Sequence, residues 1–333
     1  MESYSHKRET FMRNLLSLII IIVGIVLLAG CGKPGSTLPA ADAPGKPIVV
    51  GFVSPALTST FHVTLIEAAR KEGEKLGWKV ESLAPDRETN FAAQVDMVQA
   101  LVRRKVNAIS ICAINDSAIM GAVEQANAAG IPVFVHNSLM PLAGGKVEAY
   151  IGYDQQKAGR LCGEYAAELL KKKHGDYTGK VYLLLGIPGM HTTERSTGFL
   201  SAIGAHPAIE VVAKTPANWE RQQAMNVAAA ALKATPDIDL FFACSDAMAQ
   251  GAAQAAREAG KSVFTIGIDG NPDTLKDIKD GVVTASCAVY PGEMGRITLE
   301  TIRRRIEGQP IPPKVETPIQ IIDQTNVDEL LQP

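Results

Sequence analysis

"IVVGFVSPALTSTFHVTLIEAARKEGEKLGWKV", Ile48 to Val80, holds one complete unit of a pattern that the rest of the chain repeats. "IVVGFV" (Ile48 to Val53) is a short apolar, β-branched run, the composition of a strand buried on both faces. Phe61 to Leu76 then carries Leu65, Ile66, Ala69, Gly73 and Leu76 at helical spacing. Gly77 stops that helix, because glycine tolerates the positive φ that closes a last turn, and Trp78 to Leu83 reads as the next strand.

The same joint recurs. "EKLGWKV", "NAAGIPV" and "EAGKSV" each set a glycine between a helix and the following strand. Between the first two joints the pattern predicts a helix over Asn90 to Arg104, a strand over Ala108 to Ile111 and a helix over Asp116 to Ala129; Val133 to Val135 is a strand. Farther on, strands are predicted at Val181 to Leu185, Ile209 to Lys214, Leu240 to Ala243 and Val263 to Ile268. Helices are predicted at Thr193 to Ala205, Arg221 to Ala234 and Ala247 to Ala259. This alternation implies an α/β fold with parallel sheets covered by helices on both sides. One sheet of so many strands would be unusually wide, so the expectation is two doubly wound, Rossmann-like lobes.

The chain has 333 residues and a formal net charge of −2, so no basic field exists to hold nucleic acid. Its two cationic runs, Lys171 to Lys173 and Arg303 to Arg305, fit helix ends, where the macrodipole favours cations. Ahead of the alternating region lies "LLAGCGKPGS", Leu27 to Ser36, which closes an almost wholly aliphatic run from Leu15 to Ala29 preceded by Lys7, Arg8 and Arg13. A membrane-spanning helix needs about 20 apolar residues, and this run fits a secretory signal better than an uncleaved anchor. Leu28-Ala29-Gly30-Cys31 resembles the bacterial lipobox, which implies cleavage before Cys31 and lipidation of that cysteine. Residues 1–30 are then a signal peptide and the protein faces the cell envelope. Met12-Arg13 also reads as a start. Residues 31–46, rich in Gly, Pro and Ala, have a linker's composition. The other cysteines, Cys112, Cys162, Cys244 and Cys287, show no C-x-x-C spacing and read as small buried residues.

Ligands of doubly wound sheets sit at the carboxyl ends of the strands. Seven polar segments follow predicted strands: "SPALTSTF", "CAIND", "HNS", "GIPGMHTTER", "NWE", "CSD" and "IDG". No G-x-G-x-x-G follows a strand, and the Walker loop, H-E-x-x-H, a metal-spaced Cys–His cluster and G-x-S-x-G are all missing, so neither cofactor nor metal is expected. His62, His136 and His191 fall in strand-end loops. An acid–base pair of His191 with Glu194 lacks a nucleophile or metal beside it, so these read as hydrogen-bonding histidines.

"STFHVTLIEAARKEGEKLG", "ERSTGF", "DAMAQGA", "IGIDGNPD" and "KDGVVTASCAVYPGEMG", in this order, resemble the periplasmic sugar-binding proteins of the ribose and galactose type. These are type I solute-binding proteins of ABC importers, related to the LacI-type repressor core. The resemblance covers nearly all of the chain after Pro47. It implies two lobes joined by three crossings near Gly152, Tyr290 and Pro318, with residues 47–151 and 291–317 in the first and 152–290 and 318–333 in the second. It implies a monomer without enzymatic activity that closes on a small polyhydroxy ligand, a sugar or polyol, and delivers it to ABC permease subunits, touching the membrane through its lipid anchor only. A sensory receptor of the same fold is the alternative, and an envelope enzyme a more distant one.

By the same resemblance Phe61 stacks on the ligand with Ser59 and His62 beside it, Trp219 is the second stacking aromatic, and Asp269 accepts two ligand hydroxyls. Arg195, in "ERSTGF", completes the polar set. Six positions depart from the family: Asn137-Ser138 replaces an Asp-Arg pair, Thr193 an arginine, Ser245 and Cys112 amide side chains, and Val289 a glutamine. Losing bidentate groups implies a ligand with fewer hydroxyls than ribose, such as a deoxy sugar or short polyol, or water in the gaps.

Overall fold

A computed structural model describes residues 47–331; the lipobox, Cys31 and the linker lie outside the described residues. The first half runs β1 (Val49–Val53), α1 (Thr60–Lys75), β2 (Lys79–Leu83), α2 (Phe91–Arg103), β3 (Ala108–Ile111), α3 (Asp116–Ala128), β4 (Val133–His136) and β5 (Ala149–Gly152). The second begins α4 (Gln155–His174), β6 (Gly179–Leu185), α5 (Met190–Ile203), β7 (Ile209–Pro216), α6 (Arg221–Ala234), β8 (Leu240–Ala243) and α7 (Asp246–Glu258). It ends β9 (Phe264–Asp269), α8 (Pro272–Lys279), β10 (Ala285–Ala288), α9 (Pro291–Ile306), β11 (Lys314–Glu316) and β12 (Gln320–Asp323).

Two six-stranded sheets result, ordered β11-β5-β4-β3-β1-β2 and β12-β10-β9-β8-β6-β7. All pairings are parallel except β10 with β12, so the second sheet departs from the wholly parallel expectation at one edge. Each sheet reverses direction between its first and third strands, β1/β3 and β6/β8, and the crevice at such a switch point is where doubly wound sheets take ligands. The buried character read from "IVVGFV" holds: Val50, Phe52 and Val53 are sealed from solvent. Gly77, Gly130 and Gly260, the three joint glycines, take φ of +70°, +74° and +63°.

Three segments pass between the sheets: after β5, between β10 and α9, and from β11 to β12. They are tied together, since the Thr317 N–H donates to the Gly152 carbonyl at 2.6 Å and the Tyr290 hydroxyl to Gln320 Oε1 at 2.9 Å. Helix α9 then packs on α1 and on the first sheet, while α4 packs on α5 and the second.

Every predicted strand and helix is present, with ends displaced by three residues at most. Helix α4, which the periodicity did not predict, is the largest addition. Its buried face is Ala158, Gly159, Cys162, Gly163, Ala166, Ala167 and Leu170, mostly residues too small to print a strong apolar period. They serve close approach instead: a Cβ at Gly159 would stand 1.9 Å from the Arg195 carbonyl, and one at Gly198 1.9 Å from that of Gln156. Phe199 and Phe242 stack at 4.0 Å beneath this contact.

His136 ends β4, inside the first sheet rather than in the loop expected, with no exposed surface. Its Nδ1 lies 2.8 Å from the Ser110 hydroxyl. Burial pushes the pKa of this ring down to about 3. A histidine depressed in the folded state contributes stability that is complete above its unfolded pKa of about 6.5 and declines as pH falls toward 3. We therefore expect urea denaturation to show about 2 kcal/mol of stability lost through this group between pH 7 and pH 5. His136→Asn, which keeps a partner for Ser110, should lose that much of the pH dependence; an unchanged pH profile would contradict the burial of a neutral ring.

Candidate functional site

The loops at the carboxyl ends of both sheets are held by buried polar side chains. Gln94, on α2, donates through Nε2 to the Cys112 carbonyl and accepts the Ile114 N–H through Oε1, both at 2.9 Å, which pins the loop after β3. Asp246, in the first turn of α7, accepts the Asn271 N–H at 2.9 Å and the Ser286 hydroxyl at 2.5 Å, which fixes the "IDGN" loop. Burial pushes its carboxyl up, and these bonds oppose that.

Arg195 lies at the centre. It projects from α5 and is 4% exposed. Its Nε donates to Gln155 Oε1 at 2.8 Å, Nη1 to the Cys244 carbonyl at 2.5 Å and Nη2 to the Tyr153 hydroxyl at 2.5 Å. Its guanidinium carbon stands 5.5 Å from the Trp219 ring centre, a cation–π arrangement. Asp269 Oδ1 is 3.5 Å from Nη1, at the limit of an ion pair. The other Asp269 contacts are also long, 3.4 Å from the Asp246 N–H and 3.4 Å from Asn271 Nδ2. Burial raises the Asp269 carboxyl, with the Arg195 charge opposing and that of Asp246 reinforcing. Asp269 does not cap α8, whose N-cap is Asn271.

Trp219 is half-buried, and it and Asn218 take φ of +66° and +54° in succession. The ring lies on Gly186, where a Cβ would come 2.1 Å from Cζ2. From the ends of β4 and β3 come Asn137 (5% exposed) and Cys112, and from the first turn of α1, rather than the loop expected, comes His62. Asn137 Nδ2 is 3.9 Å from Cys112 Sγ, and the Asn137 carbonyl is 3.0 Å from His191 Nε2. His62 and His191 are both driven toward the neutral ring by burial first, and the Arg195 charge adds to this; for His191 the pKa falls to about 4. Two buried side-chain atoms here, His62 Nδ1 and Asn137 Oδ1, have no hydrogen-bond partner among the described residues. Each such group costs on the order of 1–3 kcal/mol unless something pairs with it, so the arrangement favours a ligand that offers hydroxyls.

Not every expected residue joins this group. Thr193 is exposed, because α5 starts at Met190, three residues earlier than the periodicity predicts, and the helix turns Thr192 and Arg195 inward and Thr193 out. The Ser245 hydroxyl caps α7 through the Met248 N–H, and the Ser138 hydroxyl accepts the Met140 N–H at 3.0 Å. Ser59 sits half-buried at the N-cap of α1 without a capping bond. Phe61 is 4% exposed and packs into the core, edge-on to His62 at 5.1 Å. Sequence reasoning passed over Tyr153 and Gln155, which follow a crossing rather than a predicted strand. It also passed over Glu88, in the loop after β2, whose carboxyl is pushed up to about 7 by burial and then by Glu220. Cys112, Cys162, Cys244 and Cys287 are buried and unpaired. Among the described residues no group of three or more His, Cys, Asp or Glu side chains is arranged to hold a metal.

The family model described as a periplasmic binding protein domain matches residues 50–310. The chain belongs to this family. It is similar to the ribose import binding protein of Bacillus subtilis, 31% identical over 309 residues, which are 92% of this chain and 98% of that protein. The Escherichia coli ribose import binding protein is 34% identical over 285 residues, 85% of this chain and 93% of its own. Among solved structures, an ABC transporter periplasmic solute binding protein from Actinobacillus succinogenes with bound D-allose superposes with a TM-score of 0.79 at 28% identity, covering 85% of this chain and all of that one. One from Mycobacterium smegmatis with bound glycerol gives 0.78 at 26% identity, covering 86% and 98%. With relatives of this kind the chain is a binding protein and not an enzyme.

The seat of the Trp219 ring generates a test. Gly186→Ala should displace the ring and uncover Arg195, moving the emission of Trp219 in a Trp78→Phe background, where it is the only tryptophan. An unchanged emission spectrum would remove Gly186 as its seat.

Proposed function

We propose that this protein is a lipid-anchored extracytoplasmic receptor that captures a small sugar or polyol by closure of two lobes and delivers it to an ABC importer. The observation that carries this reading is the buried Arg195–Asp269 pair, held at 3.5 Å beside the Trp219 ring. A buried guanidinium and a carboxyl raised by burial, in imperfect contact, are poorly compensated, and bridging hydroxyls improve the hydrogen bonding of both. An aromatic ring beside them suits the C–H face of a sugar. The ribose import binding proteins among its relatives and the D-allose and glycerol in its structural neighbours support the ligand class.

In this reading the first lobe comprises residues 47–151 and 291–317, the second residues 152–290 and 318–333, and the protein acts as a monomer with no cofactor. The ligand meets His62, Cys112 and Asn137 from one side and Arg195, Trp219 and Asp269 from the other, with Phe61 supporting His62 from the core. Ser59, Ser138, Thr193 and Ser245 contribute at most through the backbone or water. Cys112 and Val289, buried side chains without a carboxamide, favour a ligand with fewer hydroxyls than ribose.

A thermal-shift panel of ribose, allose, deoxyribose and glycerol tests the ligand class, since a ligand that binds only the folded protein raises its melting temperature. For a sugar found this way, Asp269→Ala should weaken binding by about 3 kcal/mol or more, the loss of charge-assisted bonds to two hydroxyls. Near-normal affinity in calorimetric titration of the folded variant would remove Asp269 from the site.

Anchoring has its own measurement. Mass spectrometry of the protein from its native envelope should find the amino terminus at a lipid-modified Cys31, and Cys31→Ala should abolish the modification. An unmodified terminus beyond Cys31 would contradict the anchor.

A further inference from the structure

Asn137 ends the first sheet's contribution to the site in an unusual backbone state, φ +63°, a region that non-glycine residues rarely occupy. The turn points its main-chain carbonyl at the second lobe, where two side chains donate to it: Gln155 Nε2 at 3.1 Å and His191 Nε2 at 3.0 Å. The carbonyl cannot drift, because Gly152 lies against it; a Cβ there would stand 3.0 Å from the Asn137 carbonyl carbon and 2.7 Å from the Ser138 nitrogen. Gln155 uses its other amide atom, Oε1, to accept from Arg195 Nε at 2.8 Å. One side chain thus joins the turn to the buried arginine.

The two donors differ in leverage. Gln155 follows the crossing at Gly152 by three residues, so rotation about the crossings moves it little. His191 lies beyond β6, in the first turn of α5, and rotation carries it away from Asn137. Distances also fix its tautomer. Nε2 is 3.0 Å from the carbonyl oxygen, which only accepts, and 3.4 Å from Asn137 Nδ2. The closer contact requires a hydrogen on Nε2, so the Asn137 amide nitrogen does not donate to the ring, and the unpartnered Asn137 Oδ1 remains for the site.

We infer that the Asn137 carbonyl is the catch of an interlobe latch, with Gln155 as its fixed half and His191 as its mobile half, and that His191 sets the closed fraction of the protein and the residence time of its ligand. This rests on the lobe-closure reading above. His191 is a positioning residue here, acting through one N–H rather than through charge.

The test uses the full chain after Gly30 and four proteins: unaltered, His191→Ala, His191→Asn and His191→Gln. Glutamine sets an amide N–H near the place of Nε2, whereas asparagine is too short. Paired spin labels at Glu124 and Lys233, exposed on α3 and α6, read the interlobe distance without ligand. His191→Ala and His191→Asn should shift the distribution toward the longer distance and His191→Gln should keep the shorter one. D-ribose, followed by tryptophan emission in stopped flow, should leave about fivefold faster from the Ala and Asn variants, the equivalent of one net hydrogen bond, and at the unaltered rate from Gln. Identical distance distributions in all four proteins would overturn the latch, as would a Gln variant as open as Ala. Failure of D-ribose to bind the unaltered protein would count against the ribose-like reading, while the ligand-free distances would still decide the latch.

Discussion

A guanidinium sealed from water must find a partner for nearly every N–H, and the structure around Arg195 is arranged to meet that demand. Its partners come from the crossing (Tyr153, Gln155), from the end of β8 (Cys244) and from the end of β9 (Asp269). Their geometry depends on α5 lying against α4 with backbone in contact, which the glycines at 159 and 198 permit. Burying a charge is unfavourable unless its bonds are complete, so the arginine holds three parts of the second lobe and the crossing in register. The one weak member of the set is Asp269, and that is the position where a ligand's hydroxyls improve the compensation most.

Much of this architecture is legible in the chain itself. β1, β8 and α6 announce themselves because strands buried on both faces are uninterrupted apolar runs, and because α6 keeps a helical spacing of apolar residues to Leu232. Helix α4 does not. Its interior face is made of alanine, glycine and cysteine, whose value lies in what they leave out, and hydropathy cannot register an absence of bulk. The antiparallel β12 is equally silent, since four residues near the end of the chain say nothing of direction.

The site divides along the same line. Arg195, Asp269 and Trp219 are visible because they follow strands in segments that match a known family, His62 because it stands beside Phe61 in the first of those segments, and Asn137 as a departure from the family. Tyr153 and Gln155 were hidden: they stand just past Gly152, where the chain changes sheets, and no local pattern marks such a place. Thr193 lies inside the first turn of α5, which begins three residues earlier than the periodicity predicts, and the helix holds its side chain toward solvent while Thr192 and Arg195 face inward. A strand-end position identifies a neighbourhood, and only packing decides which atoms face inward.

The turn at Asn218 and Trp219 bears on the thermodynamics of recognition. Two successive non-glycine residues in the left-handed region give the backbone a conformation it would not hold alone, and the indole rests directly on Gly186, in space that a side chain there would fill. Its rotational freedom is therefore already surrendered when the chain folds. A platform fixed in advance has little disorder left to lose on meeting a solute, so the entropic penalty of complex formation falls mainly on the solute and on the relative motion of the lobes.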